Sequence, residues 1–179
     1  MPEHIFRASS DADYSDFAGL VSEYVQWCRE RYASNPTFVE KVFGFQSLAS
    51  ELRILSKTYG PPNGTTLLAR RDGEISGGGA FRHFSEECCE MKRLYVPLRF
   101  TGQGTGRLLC RELMQAAARQ GYTRMLLDTG KLLKEAISLY RSIGFRECAP
   151  YRTYPPELMQ YLVFMEAELP KPAPDAVRA

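Results

Sequence analysis

The chain has 179 residues, 44% of them hydrophobic, which is enough for one domain with a sizeable core and makes a two-domain split forced. Lys and Arg total 23 against 21 Asp and Glu, and the formal charge of +2 gives no global drive towards nucleic acid or an anionic membrane. Five scattered cysteines (Cys28, Cys88, Cys89, Cys110, Cys148) without Cys-x-x-Cys pairs speak against a disulfide framework or a structural zinc, and fit a reducing cytoplasm. Residues 1–10 carry charges where a signal peptide has an apolar core, and no apolar run approaches membrane-span length, so the expectation is a soluble cytoplasmic protein.

In chain order, residues 5–8 read as a short strand, and Ser9, Ser10 and Asp11 supply N-cap chemistry for a helix starting near Asp13. Phe17, Leu20, Val21, Tyr24 and Trp27 give that helix an apolar stripe. A second helix is predicted over 45–59, where Leu48, Leu52 and Leu55 keep the period until Gly60, Pro61 and Pro62 end it. Residues 66–71 and 74–84 then read as a hairpin closed by Asp72-Gly73. Gly77, Gly78 and Gly79 in its second strand mark a bulge or a close approach, by a neighbouring helix or by a ligand. His83 lies near Cys88 and Cys89, but no second ligand pair completes a metal site, so it reads as a strand-end histidine.

Residues 88–96 form the next strand. Its inward set, Cys89 and Met91 followed by Leu94 and Val96, slips by one at Lys92 and Arg93, and a β-bulge there accounts for the slip. A short loop leads to Gly102, Gly104 and Gly106, and a helical run with Leu108, Leu109, Leu113 and Ala117 continues to Gln120, closed by Gly121. Residues 124–129 are a buried strand built on Met125, Leu126 and Leu127, which makes strand, helix and strand a right-handed parallel crossover. A helix over 131–143, carrying Leu133, Ala136, Ile137 and Tyr140, stops at Gly144. Residues 145–148 and 161–169 supply the last strands, around a loop with Tyr151, Tyr154, Pro155 and Pro156. Residues 1–170 are read as one domain and 171–179 as a Pro/Ala-rich tail.

The chemistry concentrates in residues 90–107. A glycine turn lets backbone approach a ligand, and the unpaired N–H groups and positive end of the following helix favour a phosphate or pyrophosphate. A dinucleotide fingerprint needs glycine where Arg107 stands, and the Gly-Lys-Ser/Thr of a P-loop is absent. The stretch resembles motif A of the Gcn5-related N-acetyltransferases (GNAT), whose loop reads Arg/Gln-x-x-Gly-x-Gly/Ala after a strand ending in Val. Gly104 and Gly106 fill the small positions, and Thr101 stands where the family prefers Arg or Gln. Arg99-x-x-Gly102-x-Gly104 also fits, at the cost of a shorter loop after Val96. A second segment, Ala136-Ile-Ser-Leu-Tyr140-Arg-Ser-Ile-Gly144-Phe145, is similar to the family's Leu-Tyr helix ending in Gly-Phe. Glu-Met-Lys-Arg-Leu-Tyr-Val, Leu-Asp-Thr and Leu-Tyr-Arg-Ser-x-Gly-Phe resemble a group of uncharacterised bacterial acetyltransferases.

The resemblance implies a single-domain α/β fold, with a mixed sheet of about six to seven strands flanked by about four helices and splayed parallel strands at the acetyl-CoA site. It implies that Leu94, Tyr95 and Val96 run beside the pantetheine arm and that Thr101, Gly102, Gln103, Gly104, Thr105, Gly106 and Arg107 wrap the pyrophosphate. Arg107, Arg111, Lys131 and Lys134 are the candidate partners of the adenosine phosphate, and Gly130-Lys131 stands where the family often has Asn. Tyr140 is implied as proton donor to the departing CoA thiolate, Glu90 as the base that neutralises the amine, and a strand N–H near Val96 as the oxyanion donor; a solvated Glu90, or one salt-bridged to Lys92, is the alternative reading. The acceptor pocket is expected between the first two helices and the 151–157 loop. The implied partners are acetyl-CoA and an amine-bearing small molecule or protein, with no metal, nucleic acid or membrane, and a homodimer is left open. A non-catalytic acyl-CoA sensor and a nucleotide-binding protein are the competing readings.

Overall fold

The computed structural model describes residues 3–171, so all of the expected tail beyond Lys171 lies outside the described residues. Seven strands, β1 (His4–Arg7), β2 (Gly64–Arg71), β3 (Glu74–His83), β4 (Cys88–Tyr95), β5 (Arg124–Gly130), β6 (Arg146–Glu147) and β7 (Leu162–Glu168), form one sheet in the order β1-β2-β3-β4-β5-β7-β6. Every neighbouring pair is antiparallel except β4 and β5. Seven helices accompany it: α1 (Asp11–Arg31), α2 (Pro36–Phe45), α3 (Leu48–Glu51), α4 (Leu55–Tyr59), α5 (Thr105–Arg119), α6 (Lys134–Ser142) and α7 (Pro156–Met159). No helix among the described residues is long and apolar enough to cross a membrane.

Local chemistry sets the element ends. Ser10 Oγ accepts from the Asp13 N–H at 3.2 Å while the Asp13 carboxylate accepts from the Ser10 N–H at 2.9 Å, a reciprocal cap that starts α1. Asp72 and Gly73 both take left-handed backbone (φ 50° and 87°), the requirement of a tight two-residue hairpin turn. On one face of the sheet Leu109, Leu113 and Ala117 of α5 pack with Phe81, Met91, Met125 and Leu127. On the other, Phe17, Leu20 and Val21 of α1 pack with Leu68, Ala80 and Tyr95. The glycine run of β3 lies where these layers press hardest. A Cβ on Gly78 would stand 2.9 Å from Leu20 and Leu68, and one on Gly79 2.9 Å from Leu94 and 3.1 Å from Leu113. Helix crowding from both faces accounts for these glycines.

The bulge in β4 is where the slipped pattern puts it. Ala80 pairs with Lys92 but Gly78 pairs with Tyr95, so β4 advances three residues while β3 advances two, and Arg93 takes the left-handed conformation at φ 59°. Its guanidinium is buried and donates to both Glu51 oxygens (2.8 and 3.1 Å) and to Gln46 Oε1 (2.8 Å), and lies 5.4 Å from the Phe43 ring centre.

This pairing explains why the single helix expected over 45–59 is instead broken. Five residues along a straight helix rotate by about 500°, which would aim Gln46 and Glu51 about 140° apart. The chain ends α2 at Phe45, takes left-handed backbone at Ser47 (φ 55°) and restarts as α3 and α4, which brings both side chains onto one arginine. Replacing Arg93 with Ala leaves Glu51 buried without its partner and is expected to cost about 3–5 kcal/mol. Urea denaturation checks this against Lys41→Ala, which removes an exposed pair with Glu157 and should barely move the midpoint.

Candidate active site

β4 and β5 pair only through Cys88–Arg124, Cys89–Met125 and Glu90–Leu126. Beyond the bulge the two strands part, and the edge of β4 that would have met β5 has no ladder partner there. The wedge between them opens into a cavity of about 390 Å³. One wall is Leu94, Tyr95 and Val96 followed by Thr101, Gly102, Gly104, Thr105, Gly106 and Arg107; the other is Thr129, Leu133, Ala136, Leu139 and Tyr140. Gly104 precedes α5 in left-handed backbone (φ 88°), and no side chain caps this helix. Leu108 is the first N–H to close back, onto Gly104 O, so the N–H groups ahead of it in the first turn have no helical acceptor. Gly106 lies inside the first turn, where a Cβ would stand 3.4 Å from Leu139, the close approach of α5 to α6. The arrangement offers an anion site at one end and an extended hydrogen-bonding edge leading to Tyr140 at the other.

A second, smaller cavity of about 70 Å³ adjoins the slot, sharing Tyr24, Leu94, Thr129, Leu133 and Tyr140 with it. Its walls come from α1 and α2 (Cys28, Phe38, Val39, Val42, Phe43) and from β4 and β5 (Lys92, Arg93, Asp128). This cavity is bordered by α1 and α2, whereas the sequence pointed to α1 and a 45–59 helix, and no residue of the 151–157 loop lines it; Tyr154 reaches its wall through hydrogen bonds. Tyr154 donates to Asp128, Gln46 donates to Tyr154 Oη at 2.9 Å, and Lys92 donates to Asp128 at 2.5 Å.

Tyr140 is buried on α6, and its hydroxyl has no protein hydrogen bond among the described residues. Burial pushes its pKa far above the ordinary phenol value, with the Cys110 and Asp128 charges adding to the rise, so it stays protonated. Glu90 is fully buried but lines neither cavity. Its carboxylate accepts from Arg82 and Arg152 at 2.9 Å and from Tyr151 at 3.2 Å, and lies 3.4 Å from Lys92 Nζ. Burial alone would raise the Glu90 pKa; Lys92, Arg82 and Arg152 outweigh it and hold the carboxyl below its ordinary value. The same contest at Asp128, burial against Lys92 and Tyr154, also ends in a lowered pKa.

Of the other expected residues, Gln103 does not line the slot, and Arg107 is the one member of its basic set with Arg111, Lys131 and Lys134 that does, while donating to Ser142 Oγ at 2.8 Å. Thr101, where the family prefers Arg or Gln, donates to Leu98 O at 2.8 Å and closes the loop on itself. Sequence reasoning passed over Asp128, although an acid following Met125, Leu126 and Leu127 in a buried strand was a signal. It also passed over Glu3, whose carboxylate accepts from Thr105 Oγ1 (2.7 and 2.8 Å) and Ser76 Oγ (2.7 Å) behind the glycine turn; nothing local connects residues 3 and 105. Among the described residues no cluster of His, Cys, Asp and Glu could hold a metal ion.

The acetyltransferase (GNAT) family model matches residues 25–145, from α1 through the Gly-Phe that follows α6. The chain belongs to the GNAT family of N-acetyltransferases. Along the chain, 161 residues are 37% identical to an uncharacterized N-acetyltransferase of Schizosaccharomyces pombe, covering 89% of this chain and 90% of the relative. An acetyltransferase structure from Streptococcus agalactiae superposes with a TM-score of 0.72 at 16% identity, over 93% of this chain and 98% of that one. The PaiA N-acetyltransferase of Thermoplasma acidophilum, solved with coenzyme A, gives 0.67 at 17% identity over 94% and 99%. At these identities the structural likeness is one of fold.

Glu90 and Asp128 tie stability to pH. Both carboxyls have lowered pKa values in the folded chain, so their contribution is complete above the unfolded values of about 4 and is lost as pH falls through the folded ones. Urea midpoints should be level from pH 7 to 5 and fall steeply below 4, and Glu90→Gln should make that acid limb shallower.

Proposed function

We propose that the protein moves an acetyl group from acetyl-CoA to the primary amine of a small molecule or peptide, by direct attack in a ternary complex. The observation that carries this reading is the meeting of the two cavities at Tyr140, Leu94 and Thr129. A long slot that ends at a glycine turn and a smaller side pocket share one short border, and the border holds a protonated phenol.

The residues fit the cosubstrate. The left-handed Gly102 and Gly104 and the free N–H groups of α5 suit a pyrophosphate, with Arg107 beside them. The unpaired edge of β4 from Leu94 to Val96 suits the amides of an extended arm, and the relative solved with coenzyme A supports that assignment. When bound, acetyl-CoA supplies a thioester carbonyl for the amine to attack and a thiolate to leave. A β4 N–H near Val96 donates to the developing oxyanion, and Tyr140 donates to the sulfur as negative charge grows on it.

In this reading Asp128, on the wall of the smaller cavity, faces the incoming amine, and Glu90 serves from behind by fixing Lys92. A carboxyl with a lowered pKa is too weak to deprotonate an ammonium of pKa about 10 at useful equilibrium. The amine must therefore lose its proton to solvent before attack. Log(kcat/KM) is then expected to rise by about one per pH unit from pH 6 to 8.5, where a base tuned near neutrality would give a plateau.

Incubation with acetyl-CoA and an amine panel, followed by thiol release, tests the assignment. Tyr140→Phe should lower kcat by about 10²-fold with little change in the KM for acetyl-CoA, and unchanged CoA release would remove Tyr140 from the mechanism. Tight acetyl-CoA binding without transfer to any amine would instead favour a sensor that uses the same slot.

A further inference from the structure

We infer that the smaller cavity selects an acceptor bearing a carboxylate beside its amine: a small amino acid, not a polyamine or other polycation. The inference rests on the acetyl-transfer reading and names the acceptor class for that same site.

Three observations point the same way. The charged residues on the cavity wall are Lys92, Arg93 and Asp128, two cations against one anion; Glu51 and Glu90, which pair with the cations, are not part of the wall. Donor accounting agrees with the charge. An ammonium has three N–H groups and Lys92 has two carboxylate partners, Asp128 and Glu90; a guanidinium has five and Arg93 makes three hydrogen bonds. At least one donor on Lys92 and two on Arg93 thus lack an acceptor among the described residues, on side chains that are only 6% and 8% exposed. Each cation already has a carboxylate partner, so what remains unmet is hydrogen bonding, and N–H donors on buried charged groups are matched best by an acceptor-rich group such as a carboxylate.

Size narrows the ligand. A cavity of about 70 Å³ matches about two water molecules at about 30 Å³ each, so only an amino acid of the smallest size fits, with part of it extending towards the adjoining slot. Asp128 can face the ammonium while Lys92 and Arg93 face the carboxylate, so the wall carries the charge pattern of a zwitterion. Phe38, Val39 and Val42 add apolar surface to a wall that also carries Tyr24, Tyr32 and Gln46, and the single anion on it, Asp128, gives a polycation one carboxylate to meet.

Matched acceptors test this directly: glycine, alanine and serine, each compared with its carboxamide and with its decarboxylated amine, using kcat/KM corrected for the free-base fraction. The acid should exceed both counterparts by about 10- to 100-fold, as expected for a charge-assisted hydrogen bond. Lys92→Met, with folding checked by circular dichroism, should pull that ratio towards one; if the variant does not fold, the wild-type ratio decides alone. Equal or better use of the amides or plain amines would overturn the carboxylate subsite while leaving acetyl transfer intact. A preference for succinyl-CoA over acetyl-CoA, with no discrimination among acceptors, would place the carboxylate on the donor and overturn it too. Failure of these acceptors to release CoA while another amine of the panel does would overturn this inference and leave acetyl transfer intact; failure of the whole panel would remove both.

Discussion

The site depends on one arginine held in an unfavourable backbone conformation. Left-handed backbone costs a non-glycine residue about 1–2 kcal/mol, and Arg93 adopts it in the middle of a central strand. Had β4 run straight, its edge could have continued to pair with β5 in the same register as far as Leu94, opposite Gly130, and no wedge would exist. The extra residue turns the strand and frees that edge. Glu51, Gln46 and Phe43 hold the arginine there, so the broken segment from α2 to α3 is shaped by the bulge it restrains. A buried ion pair of this kind adds little net stability over a well-packed apolar pair, but losing half of it is expensive. Its physical role here is to exclude the unbulged alternative.

From Arg93 the polar contacts continue without a gap. Gln46 bridges to Tyr154, Tyr154 to Asp128, Asp128 to Lys92, and Lys92 to Glu90, which Arg82, Arg152 and Tyr151 surround. The chain joins β3, β4, β5, the end of α2 and the 151–154 segment beneath the smaller cavity. Both carboxyls near that cavity have lowered pKa values and stay ionised across the neutral range. Neither carboxyl therefore supplies a pH response of the proposed reaction near neutrality.

Patterns that depend on near neighbours were legible in the sequence: the hairpin from Asp72-Gly73, the glycine turn, and the bulge from the slip at Lys92 and Arg93. The Leu-Tyr helix with its Gly-Phe end carried enough local signature to fix the family. What was illegible has long range. Glu51 and Arg93 are 42 positions apart, Asp128 and Lys92 36, and Glu90 and Arg152 62, and none of these pairs leaves a periodic trace. α2 hid for a different reason. Its sequence, Pro-Thr-Phe-Val-Glu-Lys-Val-Phe-Gly-Phe, is rich in β-branched and aromatic residues and contains a glycine, so propensity argues against the helix that burial of Phe38, Val39 and Val42 stabilises. Glu90 could be placed on its strand by pattern and paired with Lys92 two residues on, but Arg82, Tyr151 and Arg152 could not be found that way.

The two cavities meet at a phenol whose environment limits what it can do. A buried tyrosine with a raised pKa is a weaker acid than a thiol of about 8.5, so complete proton transfer from Tyr140 to a thiolate runs uphill. Its hydrogen bond to the sulfur, however, strengthens as charge accumulates there, which is stabilisation felt more in the transition state than in the ground state. The low local dielectric that makes Tyr140 reluctant to ionise also makes that bond stronger than it would be in water. In the proposed transfer Tyr140 therefore acts mainly as a fixed donor to the leaving sulfur, and the thiolate takes its proton from water as product departs through the open slot.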